Sequence, residues 1–187
     1  MNKHTDSLID EKMRILANLT RHFLESLYLP HASNHELTQL QLFILKIVQS
    51  SGAATGSQVA RLLGITRAAA SQNIEYLVNK NLVIRQEGIY DRRSKMIILT
   101  NEGQKAIEKF DQICQYNRQF ILSTFSEEEK DQLNKLLNKY IINSLEIDKN
   151  LALYCLECGK EYDKGCPIKK HTKICNFAIV DKGTEKK

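Results

Sequence analysis

The chain is poor in residues that interrupt helices: only 2 Pro and 8 Gly occur among 187 residues. That scarcity fits a mostly helical protein. Long apolar runs are missing too. The longest falls well short of the roughly 18–20 residues a membrane-spanning helix needs. Met1 to Asp10 is polar, so no secretory leader is visible. These absences predict a cytoplasmic protein with no membrane partner. The sequence also lacks the common marks of catalysis. It shows no nucleophile–base pair, no phosphate-cradling glycine loop and no HxE…PCxxC deaminase pattern. The expectation is a protein that is not an enzyme.

What is present is enough for a core. Hydrophobic residues make up 42% of the chain, and its length suits one ordinary domain plus a small extra piece. The formal net charge is +5, a mild excess that permits a polyanionic partner without demanding one. Its placement says more. Between Ser57 and Thr100 stand Arg61, Arg67, Lys80, Arg85, Arg92, Arg93 and Lys95, against Glu75, Glu87 and Asp91. Most such clusters are solvated faces.

Hydrophobic spacing predicts the elements. Ile9, Met13, Leu16, Phe23 and Leu27 recur as on one amphipathic helix, which Pro30 and the polar run from His31 to Glu36 should end. Thr38 and Gln41 form a capping-box pattern that opens a second helix through Leu42, Leu45 and Val48. A short helix follows from about Ser57 to Leu63, then Gly64, then a helix capped by Thr66 that runs to about Asn79. Its inward face should be Ala70, Ile74 and Leu77. Two helices joined around a glycine are the mark of a helix-turn-helix. Asn81 can end the second helix in the left-handed conformation. Leu82–Gln86 and Lys95–Leu99 are β-prone around the polar stretch Glu87–Ser94, so a hairpin follows. Thr100 caps a long helix through Ile107, Phe110, Ile113, Cys114, Phe120 and Ile121. Ser126 and Glu129 cap the last long helix, which carries Leu133, Leu136, Leu137, Tyr140, Ile141 and Leu145. The first helix and the last two hold more apolar surface than a small winged domain can cover, and self-association would bury the excess.

The segment from Leu37 to Gly103 resembles the MarR family of bacterial and archaeal regulators. The resemblance rests on Leu37-Thr38-x-x-Gln41, Val59-Ala60-x-x-Leu63-Gly64-Ile65-Thr66-Arg67, Leu82-Val83-x-Arg85, Asp91-Arg92-Arg93 and Leu99-Thr100-x-x-Gly103. It implies a mainly α fold with a small β wing. The helix-turn-helix would span 57–79 and the wing 83–99, flanked by dimerisation helices 7–28 and 101–148 in a domain of residues 1–150. It implies a homodimer on a pseudo-palindromic operator, with DNA affinity set by a small-molecule, metal or redox effector. Repression is expected ahead of activation. The helix from Thr66 would enter the major groove, where base edges are distinguishable. Thr66, Arg67, Ser71 and Gln72 are the polar positions that could reach bases there. Arg92 and Arg93 at the wing tip suit a narrow minor groove, with Asp91 bracing one of them. Arg85 could touch DNA or brace, and Lys95 adds charge to the wing. The family often has a basic residue where Gln72 stands and a glycine where Asn81 stands, so the operator sequence does not transfer.

Four of the 5 cysteines lie between Cys155 and Cys175. Cytoplasmic thiols stay reduced, so a local cluster suggests a metal site before a disulfide scaffold. Cys155, Cys158, His171 and Cys175 read C-x2-C-x12-H-x3-C. This resembles a Cys2His2 zinc finger with cysteine as the fourth ligand, in a module of residues 151–179 ahead of a disordered tail at 180–187. Tyr162 and Ile168 occupy the finger's two small core positions. Using Cys166 in place of His171 gives four thiolates, which could hold an iron–sulfur cluster. Base reading by the finger is disfavoured, because Pro167 would stand at a reading position. Cys114 reads as a buried structural thiol ahead of a redox sensor, and His22, His31 and His35 carry no assigned role. Three rival functions remain: a regulator sensing through the cysteine cluster, a zinc-finger interaction scaffold, and a zinc enzyme. Four ready ligands argue against the enzyme, since a catalytic zinc keeps an open position.

Overall fold

In the computed structural model, the described residues are 3–87 and 95–147. They form seven α-helices, one π-helical turn and a three-stranded sheet. Helix α1 (Lys3–His22) runs into a π turn (Phe23–Tyr28) and then the short α2 (Leu29–Ala32). The first helix therefore does not stop at Pro30. The Leu29 N–H reaches back to the Leu24 carbonyl, and this wider turn carries the chain past a proline that has no N–H to give.

Helix α3 (Gln39–Ser51) sits at the centre. Leu42, Ile44, Leu45, Ile47 and Val48 are all buried, because α5, α6 and the sheet pack around it. Its capping box forms as expected. The Gln41 side chain, though buried, accepts from the Thr38 N–H at 3.0 Å, so its burial leaves no unmet polar group.

Strand β1 (Ala54–Thr55), helix α4 (Gly56–Leu63) and helix α5 (Arg67–Asn79) follow. Thr55 opens α4 with a second capping box through Gln58. Gly64 ends α4 with φ +64°, a left-handed turn that costs glycine little. Thr66 then caps α5 by accepting from the Ala69 N–H at 3.1 Å. Ala70, Ile74 and Leu77 face the core. Asn81 takes the expected left-handed conformation at φ 56°.

Strands β2 (Val83–Glu87) and β3 (Lys95–Leu99) pair antiparallel, with Val83 opposite Leu99 and Glu87 opposite Lys95. Strand β1 joins on the far side of β3, giving the order β1-β3-β2. Two residues long, β1 has no alternation to read in the sequence. Val83 is buried, whereas Ile84 to Glu87 are exposed, so the hairpin leaves the body as it rises. Helix α6 (Asn101–Leu122) returns across the hairpin base, and α7 (Glu127–Ser144) follows. Ala106, Ile107 and Phe110 of α6 join the core, whereas no residue of α7 is buried. The core draws on α2 to α6 and the sheet. Among the described residues no helix is long and apolar enough to cross a membrane.

Candidate nucleic-acid interface

Successive helical residues turn by about 100°, so α5 has two distinct sides. Ala70, Ile74 and Leu77 occupy the buried one. Arg67, Ala68, Ser71, Gln72 and Glu75 share the other, all exposed, within an arc of about 140°. Four sequence-predicted residues, Thr66, Arg67, Ser71 and Gln72, therefore meet at the N-terminal half of one solvent face. The small side chain of Ala68 between them lets a flat surface approach closely. Neither α4 nor α5 has an acid in its first turn, so their exposed N–H ends stay favourable to phosphate.

The face is held from both ends. The Tyr76 hydroxyl donates to the Glu36 carbonyl at 2.7 Å, tying α5 to the segment before α3. Lys80 lies over the Tyr76 ring, 5.6 Å from its centroid. The Arg85 guanidinium pairs with Glu75 at 2.8 Å. That contact joins the wing strand to α5 and commits Arg85 to bracing. It also places a counter-charge on Glu75, the one acid on the exposed face, which would otherwise repel phosphate. Sequence inspection did not pair these two. They are ten positions apart on different elements, and only the left-handed turn at Asn81 folds them together. Arg61 is exposed on α4, the helix packed against α5, and in the sequence it stood out only by its charge.

Lys95 is exposed at the start of β3. Asp91, Arg92 and Arg93 lie outside the described residues, as do Cys155, Cys158, Cys166, His171 and Cys175 with the whole predicted metal module and tail. Among the described residues no three metal-ligating side chains cluster.

A second group of side chains sits where α2 and the π turn meet α6. Tyr28 stacks edge-on against Phe110 at 6.2 Å between centroids. Lys46 of α3 pairs with Asp111 at 2.8 Å and lies 5.2 Å from the Phe110 ring centroid. Cys114 is half-buried beside them. Burial, and then the Asp111 carboxylate, push its thiol up to about 11. Burial also raises the Tyr28 hydroxyl. A thiol so rarely ionised is a poor nucleophile, which agrees with a structural Cys114.

A winged helix-turn-helix with long flanking helices defines the class of protein. Residues 35–94 match the MarR family, a family of transcription regulators and not of enzymes. The described fold is similar to solved structures of that type. The YusO protein from Bacillus subtilis aligns at 24% identity, covering 73% of this chain and 96% of that one, with a TM-score of 0.62. A MarR family protein from Bacillus stearothermophilus aligns at 22% identity, covering 77% and 98%, with a TM-score of 0.61. A MarR family transcription regulator aligns at 18% identity, covering 79% and 97%, with a TM-score of 0.66. The chain therefore has the MarR-type winged-helix architecture.

Proposed function

We propose that this protein is a sequence-specific, DNA-binding transcription regulator of the MarR type, working as a homodimer in the cytoplasm. The observation that carries this is the polar, acid-compensated face of α5 opposite its buried side. Arg67 presents a fork suited to the O6 and N7 of guanine, and Gln72 an amide suited to adenine. The Thr66 hydroxyl, already accepting from Ala69, keeps its proton for a phosphate oxygen. The wing carrying Arg92 and Arg93 would reach the neighbouring minor groove. A two-fold dimer would read two half-sites about 34 Å apart, one helical turn of DNA. Occupying that stretch of promoter is the simplest route to repression. The effector is a small molecule, metal or redox signal that alters the spacing of the two α5 helices. Effector and DNA affinities are then coupled reciprocally.

Selection from a pool of random duplexes, followed by gel shift, tests this. The protein should enrich a two-fold symmetric sequence. Arg67→Ala with Gln72→Ala should bind that sequence at least about thirtyfold more weakly, each good base contact contributing about 1–3 kcal/mol of discrimination. Both side chains are exposed, so the fold should persist. Failure of the unmodified protein to enrich any sequence would overturn the proposal.

A further inference from the structure

The last buried residue of the described domain is Leu145, and the chain runs on for 40 residues from 148 to 187. The similar solved structures are covered over 96–98% of their own lengths while spanning only 73–79% of this chain. About a fifth to a quarter of this chain therefore lies outside each of these alignments. Four of its 5 cysteines fall between Cys155 and Cys175.

We propose that residues 155–175 bind one structural zinc ion through Cys155, Cys158, His171 and Cys175. This rests on ligand chemistry and spacing and stands apart from the DNA-binding proposal. Cys155 and Cys158 are separated by two residues, the spacing at which two thiolates of one turn bind the same ion. His171 and Cys175 are four apart, so on a helix both would lie on one side. Three thiolates and an imidazole complete a tetrahedron, the geometry and donor set that zinc prefers. With all four positions filled no site is left for water, so the ion holds structure and does no catalysis.

Cys166 is not a ligand on this assignment. It is nine positions from Cys175 and shares no helix face with it, and Pro167 follows directly. Tyr162 and Ile168 are the apolar side chains available to pack beside the ion. Few others stand between Cys158 and Cys175, so so short a piece depends on its metal to fold. Lys160, Lys164, Lys169, Lys170 and Lys173 offset the negative charge of a three-thiolate site.

The test uses the full chain, purified without added metal. Elemental analysis should find one zinc per chain and no labile sulfide. Cys155→Ser and His171→Ala should each lose the zinc, while Cys166→Ser should keep it. Cobalt substitution gives a second readout: the thiolate-to-cobalt absorption should have three-sulfur intensity, unchanged in Cys166→Ser. The helical circular dichroism of every variant should persist, because the domain core contains none of these residues. Absence of tightly bound metal, or iron with sulfide, would overturn the proposal. So would a zinc that survives His171→Ala and is lost in Cys166→Ser. The duplex selection is scored separately, so either proposal can fail alone.

Discussion

Cys114 shows how one side chain's surroundings set its chemistry. It lies on α6 facing the core, with Asp111 one turn back and Lys46 across from α3. Burial disfavours the thiolate and Asp111 adds repulsion, while Lys46 and Arg118 only partly oppose them, so the thiol titrates near 11 instead of its ordinary 9.0. Folding therefore holds a proton that the unfolded chain gives up earlier. The stability this contributes is complete below pH 9 and disappears as pH rises through the window from 9 to 11. Alkylation by iodoacetamide, followed at Cys114 by peptide mass spectrometry, checks the cause. At pH 8 the rate should be at least about tenfold below that of a free cysteine, and it should still be climbing at pH 10. A rate that has levelled off by about pH 10 would show an ordinary thiol. A thiol held near 11 is a poor target for an oxidant, so on the proposed function the effector acts at another site.

Between elements, the tightest fit lies where α6 crosses the base of the hairpin. The Thr100 N–H donates to the Leu82 carbonyl at 3.1 Å, and the Thr100 hydroxyl donates to the Asn81 carbonyl at 2.7 Å. The same hydroxyl accepts from the Gly103 N–H at 3.0 Å, so one threonine caps α6 and fastens it to the turn after α5. Gly103 is buried in that crossing. A methyl group there would fall on the Leu82 carbonyl oxygen and lie 2.9 Å from Leu99 Cδ2. Backbone cannot step aside as a flexible side chain can. Gly103→Ala should therefore destabilise the protein by about 1–3 kcal/mol or more, read as a lower urea midpoint. An unchanged midpoint would mean that α6 sits further from the hairpin. Much of this level was legible in sequence, because caps and periodicity are local. Thr38, Thr66, Thr100 and Ser126 marked their helices, and Ala70, Ile74 and Leu77 marked the buried side of α5. What escaped depends on distant partners. Two residues of β1 become a strand only when Met96 and Ile97 pair with them. The π turn, closed by the Phe23–Tyr28 ring contact just ahead of Pro30, is not marked by the spacing of apolar residues. The Glu75–Arg85 brace needed the fold before it could be seen.

At the scale of the molecule, one chain leaves its long helices unfinished. Ile15, Leu16 and Leu19 of α1 are exposed. So are Tyr116 and Phe120 beyond the core-facing half of α6, and Leu136, Tyr140 and Ile141 of α7. Tyr116, Phe120 and Leu136 keep 70%, 72% and 67% of their surface. Isolated exposed apolar residues are normal, but a run of them along three helices marks an interaction surface. A second copy would cover it, and a stable dimer needs about 1,600 Å² of buried area. Dimerisation also bears on DNA. A monomer holds one half-site, whereas a dimer gains from the second site as an intramolecular event, worth about 10²–10⁴ in affinity. Phe120→Asp with Leu136→Asp should therefore act twice. Sedimentation should show a monomer where the unmodified chain is a dimer. Affinity for the selected duplex should fall more than about a hundredfold, although α5 is untouched. Neither side chain belongs to the core, so helical circular dichroism should remain. If the unmodified protein sediments as a monomer at micromolar concentration, self-association is not what covers these helices. If the variant stays dimeric, Phe120 and Leu136 are not at the interface, and the copies meet through other exposed residues such as Ile15, Leu16 and Leu19 of α1.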